Sequence, residues 1–399
     1  MIWRGATALA GLALRGGSLL SGPDLRERLA LSGPPITPGG IWLHAASVGE
    51  LNSARVLAKA MAAERPLTIT TNSTTGRALA GKLGYPATLA PLDVPQAVAR
   101  FLARVEPSVL VTVENELWPN RSAMAGELGV AQVVVGARIS ERSAARWAKV
   151  PWLIGPMLKR IDVLSAQDEA SEERLLRLGL PSRAVAGRLN LKLLGPAKVT
   201  PPEDGPMRAR TVLAASTHEG EDEIVLDAYL SARAAIPDLR FILAPRHPER
   251  GGAIAAMLAA RGLEFGRRSR GDGREAQILL ADTLGEMADW YAAAGICITC
   301  GSFTDRGGHT PWEPAASRCA ILYGPNVSNH APDYRDLAGA GAAMRCDPGD
   351  LALRLSALAQ DVPAQRRMGQ AARALLLERA GDPSPLISRI RSFARGSLA

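Results

Sequence analysis

At 399 residues the chain is too long for one ordinary hydrophobic core, so two domains of roughly 150 to 200 residues are expected. Hydrophobic residues make up 47% and aromatics only 4%, a globular composition whose core must be filled by Ala, Leu, Val and Ile. The net charge of +8 favours an anionic partner; without a run of five basic residues, zinc-finger spacing or an aromatic-rich RNA-binding strand, nucleic acid is excluded from first place.

Residues 1–22 are apolar but interrupted by Arg4 and Arg15, which leaves a stretch too short to span a bilayer. Ile2, Trp3, Ala6, Leu9, Leu12 and Ala13 can share one helix face with both arginines off it. Such a helix can lie on an anionic membrane or pack on the protein itself. The expected divisions are an N-terminal segment 1–33, a first α/β domain 34–193, a linker 194–210, a second α/β domain 211–382 and a basic terminal helix 383–399.

In the first domain, strands are predicted at Ile41–His44, Leu67–Thr71, Thr88–Ala90, Val109–Val113, Gln132–Val135 and Val163–Ala166, with amphipathic stretches between them. This alternation means parallel strands with crossover helices. No G-x-G-x-x-G follows any strand, so a dinucleotide cofactor is not expected. The pattern restarts after the linker at Thr211–Ala215, Arg240–Ala244, Ile278–Ala281, Gly295–Thr299 and Ala320–Tyr323. Cys297 and Cys300 form a C-x-x-C inside a strand, where odd spacing turns them to opposite faces, so they read as buried thiols.

The run His44-Ala45-Ala46-Ser47-Val48-Gly49-Glu50 is a strand end passing into a helix. Glu50 near that helix N-terminus is either a cap or a functional carboxylate, and the helix dipole should press its pKa downward. Val113-Glu114-Asn115-Glu116-Leu117-Trp118-Pro119-Asn120 follows another strand, and alternate carboxylates should leave it on the same side. In the second domain, Ser216-Thr217-His218-Glu219-Gly220-Glu221 sets hydroxyls before a helix whose amides can bind phosphate. Pro245 and Arg246 end a strand, where the arginine offers a forked donor pair. Leu284-Gly285-Glu286 ends another, and Thr310-Pro311-Trp312-Glu313 follows two glycines. All five histidines lie in or beside such turns, without metal-ligand spacing, so no metal is expected.

Taken together, these motifs resemble the 3-deoxy-D-manno-octulosonic acid (Kdo) transferases along nearly the whole chain. The resemblance implies a GT-B fold: two Rossmann-like domains facing each other across a cleft, with an N-terminal membrane-associating helix. It implies an inverting, metal-independent transfer of Kdo from CMP-Kdo to a lipid A precursor (lipid IVA) at the cytoplasmic face of the bacterial inner membrane, whose anionic surface would be a further partner. By matching position, Glu50 would be the general base and Glu114 would stabilise the transition state. CMP would fall to Pro245, Arg246, Leu284, Gly285, Glu286, Thr310, Pro311, Trp312 and Glu313. No cofactor is implied. The sequence departs from the family at Thr310 and Trp312, where Asn and Leu are usual. It also departs at Asn190, where the family has a lysine that Arg188 or Lys192 could replace. The alternatives are a GT-B transferase using another nucleotide sugar, or a non-catalytic nucleotide- or lipid A-binding relative.

Overall fold

Short β-branched and leucine-rich runs, each followed by an amphipathic stretch, fold as strands crossed over by helices. The computed structural model describes residues 2–17, 22–114 and 116–396. Asn115 of the Glu-x-Glu motif, residues 18–21 of the N-terminal segment and 397–399 of the terminal helix lie outside the described residues, as do the side chains of Ile2, Ala6, Leu12, Ala13, Arg15 and Arg395.

Two units emerge. The first runs to Gly195 and resumes at Arg379, while the second spans Pro196–Glu378. The helix Ser384–Gly396 thus belongs with the first unit, where Arg391 pairs with Glu64 at 3.4 Å. Most of segment 194–210 belongs with the second. There Arg208, buried, donates to the carbonyls of Ala292 and Ser317.

In the first unit the strands are β1 (Ile41–His44), β2 (Leu67–Thr71), β3 (Ala87–Leu89), β4 (Val109–Val113), β5 (Ala131–Ala137) and β6 (Val163–Ala166). They pair in parallel in the order β3-β2-β1-β4-β5-β6. The chain winds outward from β1 to β3, then returns to β4 and winds the other way. The switch point, where two neighbouring strands send their following loops apart, lies between β1 and β4. In open α/β sheets this is where ligands bind. Helices cover both faces, so every residue of β1, β2 and β4 is buried.

The N-terminal helix Ile2–Gly17 packs on this unit. Gly11 is buried against Val94 and Gln96, and Leu14 joins Leu25, Leu29, Leu92 and Val94. Asn120 Nδ2 donates to Thr7 Oγ1 (2.9 Å), and Arg4 pairs with Glu127 (2.6 Å). Its other side is open: Trp3 is 38% and Leu9 71% exposed. Among the described residues no helix is long and apolar enough to cross a membrane.

The second unit holds β7 (Thr211–Thr217), β8 (Arg240–Pro245), β9 (Gly266–Arg267), β10 (Ile278–Leu280), β11 (Ile296–Thr299), β12 (Ala320–Tyr323) and β13 (Ala343–Arg345). Its parallel order is β13-β12-β11-β7-β8-β10-β9, with the switch point between β7 and β11. Cys297 packs with Leu213 and Ala215 on one face, and Cys300 with Val212 and Ala214 on the other; both thiols are free and buried.

Candidate functional site

At the first switch point, Ser47 caps the helix Val48–Ala62, its Oγ accepting from the Glu50 amide (3.2 Å). Glu50 returns the contact in a variant of the capping box: Oε1 accepts from the Ser47 hydroxyl (3.2 Å) and Oε2 from the Ala46 amide (2.7 Å). The cap reading is therefore realised. The expectation of a depressed pKa is corrected, because partial burial raises the Glu50 pKa, the Glu114 and Glu116 charges add to the rise, and the donors from Ala46 and Ser47 only partly oppose it. Burial, with the two neighbouring acids adding to it, outweighs the donors at the helix N-terminus. Each carboxylate oxygen of Glu50 still has acceptor capacity for a third group.

Glu114 and Glu116 do not leave β4 in extended alternation, which corrects the reason given for their common side. Glu114 has φ +57°, a left-handed conformation that costs a non-glycine residue about 1–2 kcal/mol, and it breaks the strand there. Glu116 Oε2 then accepts from Asn72 Nδ2 (3.2 Å) and Trp118 Nε1 (2.8 Å). Asn72 follows β2, and its amide donates to the Ala46 carbonyl (2.9 Å). A continuous chain of hydrogen bonds thus joins Glu50, Ala46, Asn72 and Glu116 across the ends of β1, β2 and β4.

His44, fully buried, sits beneath this chain. Trp42 Nε1 donates to Thr70 Oγ1 (2.8 Å), and the same hydroxyl meets His44 Nδ1 (2.9 Å). His44 Nε2 has no hydrogen-bond partner among the described residues and stands 3.6 Å from Glu116 Oε2. Burial, reinforced by buried Arg121, lowers the His44 pKa to about 4, so the ring is neutral at physiological pH. Facing His44, and hydrogen-bonded by Trp118 and Asn72, Glu116 is held down to about 2. Arg121 completes the support, donating to the Glu116 carbonyl (2.8 Å).

In the second unit, the turns after β7, β8, β10 and β11 lie along one sheet edge. Pro245 is buried, and its neighbour Arg246 is exposed with no ion pair among the described residues, free to meet an anion. Leu284 is 83% exposed, and Gly285 takes φ +90°. Glu286 accepts from Arg268 (2.8 Å) and Thr283, and the arginine contact lowers its pKa. Thr310 Oγ1 accepts from the Trp312 amide (3.4 Å), Pro311 and Trp312 are buried, and Glu313 is exposed beside the Tyr291 hydroxyl (3.4 Å).

Part of the turn after β7 is already engaged. Buried Glu221 already accepts from the amides of His218 (2.9 Å), Gly301 (2.7 Å) and Phe303 (2.9 Å), and Thr217 donates to Asp222 (2.6 Å). Asn190 Oδ1 faces the Lys192 amide (3.3 Å), and Arg188 is committed to Glu169 and Glu172. Lys192 has no ion pair among the described residues and is exposed. Among them, too, no three His, Cys, Asp or Glu side chains form a metal-binding group.

Sequence reading singled out Glu50 and Glu114 but not the supporting roles of His44, Asn72 and Arg121. Asn72 carried a signal, a polar residue directly after a predicted strand. The roles of His44 and Arg121 depend on burial and had none.

The two-unit fold is shared with MurG from Acinetobacter baumannii, which has a TM-score of 0.56 at 13% identity over 88% of this chain and 99% of that one. Residues 23–194 match the family model described as 3-deoxy-D-manno-octulosonic-acid transferase (kdotransferase). The 3-deoxy-D-manno-octulosonic acid transferase of Bordetella pertussis is 36% identical over 86% of this chain and 84% of its own length. The Haemophilus influenzae protein of the same name is 31% identical over 89% of this chain and 87% of its own. At that identity over most of both chains, the chain belongs to the 3-deoxy-D-manno-octulosonic acid (Kdo) transferase family of GT-B glycosyltransferases.

Proposed function

We propose that the chain transfers Kdo from CMP-Kdo to a lipid A precursor with inversion at the anomeric carbon. The observation that carries this reading is Glu50 at the first switch point, a half-buried carboxylate whose basicity is raised by burial and by two neighbouring acids. A base is most effective when its pKa approaches the working pH. Glu50 takes the proton of an acceptor hydroxyl as that oxygen bonds to the anomeric carbon and the bond to the CMP phosphate oxygen breaks. Unpaired Arg246 meets the charge accumulating on CMP, and Pro245, Leu284, Gly285, Glu286, Thr310, Pro311, Trp312 and Glu313 supply the rest of the nucleotide site. Glu114 contributes to the transition state, and Lys192 is the cation available near Asn190.

A lipid acceptor and peripheral attachment to the cytoplasmic face of the inner membrane fit the exposed Trp3 and Leu9 of the N-terminal helix. Beside them opens a hollow of about 660 Å³ lined by Trp3, Arg4, Pro119, Trp152, Leu153 and Arg160. Aromatic and basic side chains of this kind favour the membrane interface.

The test is transfer from CMP-Kdo generated in place, with wild type and Glu50→Gln. The substitution should abolish transfer and leave CMP affinity nearly unchanged. Loss of CMP binding together with transfer contradicts the assignment, and stronger competition by UDP or GDP than by CMP would move the chain to another nucleotide sugar.

A further inference from the structure

The second switch point holds a device that the assignments above leave unused. His218, after β7, and His309, after β11, bring their Nε2 atoms to 2.9 Å. Their ring planes differ by only 8°, and the centroids stand 5.1 Å apart. That separation is nearly the nitrogen–nitrogen distance plus one ring radius on each side. The imidazoles therefore meet edge to edge in a common plane, as donor and acceptor of one N–H···N hydrogen bond, rather than face to face.

The backbone is built to hold them there. One buried carboxylate, Glu221, ties the His218 amide to the Gly301 amide. Gly301 has φ +72°, which favours glycine, and a Cβ on it would stand 3.0 Å from His309 Cδ2, close enough to push that ring out of the pair by a few tenths of an ångström. Tyr334 donates to the His309 carbonyl (2.8 Å), and the His309 amide donates to Cys300 (3.2 Å).

Proton arithmetic follows from the contact. In the neutral pair one ring carries its proton on Nε2 and the other on Nδ1. One added proton makes an imidazolium–imidazole bond, which is charge-assisted and stronger. A second would set two N–H groups head to head and break the contact. The pair therefore holds at most one extra proton.

We propose that His218 and His309 act as a one-proton store that fills when the phosphodiester of the nucleotide donor binds beside them. The inference rests on reading the second unit as the donor-binding unit. In the free protein the store is empty at neutral pH: burial and neighbouring cations bring His309 to about 4 and lower His218 as well. The groups around the pair are named by element. Glu221 comes from the helix after β7; Arg246, His247 and Arg250 follow β8; Arg306 lies between β11 and His309; His330 precedes the helix Ala331–Gly339. Of these groups only Glu221 favours the charged form, so an arriving anion shifts the balance and draws in a proton.

The experiment is calorimetric titration of the full chain with cytidine 5′-(methyl phosphate), a diester that does not titrate near neutrality, in several phosphate-free buffers of different ionisation enthalpy. Wild type should take up between about half and one proton per ligand bound, and His309→Asn or His218→Asn should take up almost none. Binding without uptake, or equal uptake in both variants, overturns the store alone. No binding by wild type in any buffer overturns the donor reading and the store with it. Long-range ¹H–¹⁵N spectra of histidine-labelled wild type give an independent check. One Nε2 of the pair should be protonated and the other not, whereas two rings titrating independently near the ordinary histidine value would overturn the proposal.

Discussion

His44 makes stability depend on pH in a way that can be calculated. In the unfolded chain an imidazole binds its proton near 6.5, whereas in the fold His44 binds it only near 4. Between those values the unfolded state holds more protons, so stability contributed by neutral His44 is complete above 6.5 and is lost as pH falls toward 4. Because the ring is fully buried the shift needs no discount for screening, and going from about pH 7.5 to about pH 4.5 should cost the first unit about 2.5 kcal/mol through this group. His44→Asn keeps a polar side chain that can donate to or accept from the Thr70 hydroxyl and removes the titration. The assay is urea unfolding at several pH values, read by deuterium uptake of peptides containing Ile41–His44, since the two units need not unfold together. The variant will be less stable at neutral pH because the ring's packing is gone, but the gap to wild type should close by about 2.5 kcal/mol on acidification. Curves that stay parallel to within about 0.5 kcal/mol would refute the neutral, buried imidazole.

Glu116→Gln removes a charge that raises the Glu50 pKa, so the acid limb of the kcat/KM profile should move to lower pH; weakened contacts from Asn72 and Trp118 should cost about 1–3 kcal/mol of stability in urea unfolding. Glu114→Gly relieves a left-handed residue, so the variant should unfold at higher urea, by about 1 kcal/mol, while transfer collapses. Gly301→Ala forces a side chain into φ +72° against His309 and should cost at least about 1–2 kcal/mol, with changed histidine nitrogen shifts in the spectra described above.

Much of the architecture was legible in the chain itself. Buried parallel strands read as largely apolar runs, so Ile41–His44, Val109–Val113 and Arg240–Ala244 stood out, and the turns after them identified Glu50, Glu114 and Arg246. Gly266–Arg267 and Ala343–Arg345 are too short, and end on an arginine, for a strand pattern to register. The left-handed turn at Glu114 was equally silent, because nothing local marks a glutamate for φ +57°.

What the sequence by itself determined was where strands end and which polar residues stand at those ends, since both follow from local pattern. Only the tertiary structure decided which ends adjoin. Strand order brings β1 beside β4 and β7 beside β11, and from that adjacency come the raised basicity of Glu50, the neutral His44 and the shared contact of His218 with His309. Each depends on burial and on charges contributed from distant parts of the chain, and a pKa answers to distance and solvent rather than to position in sequence.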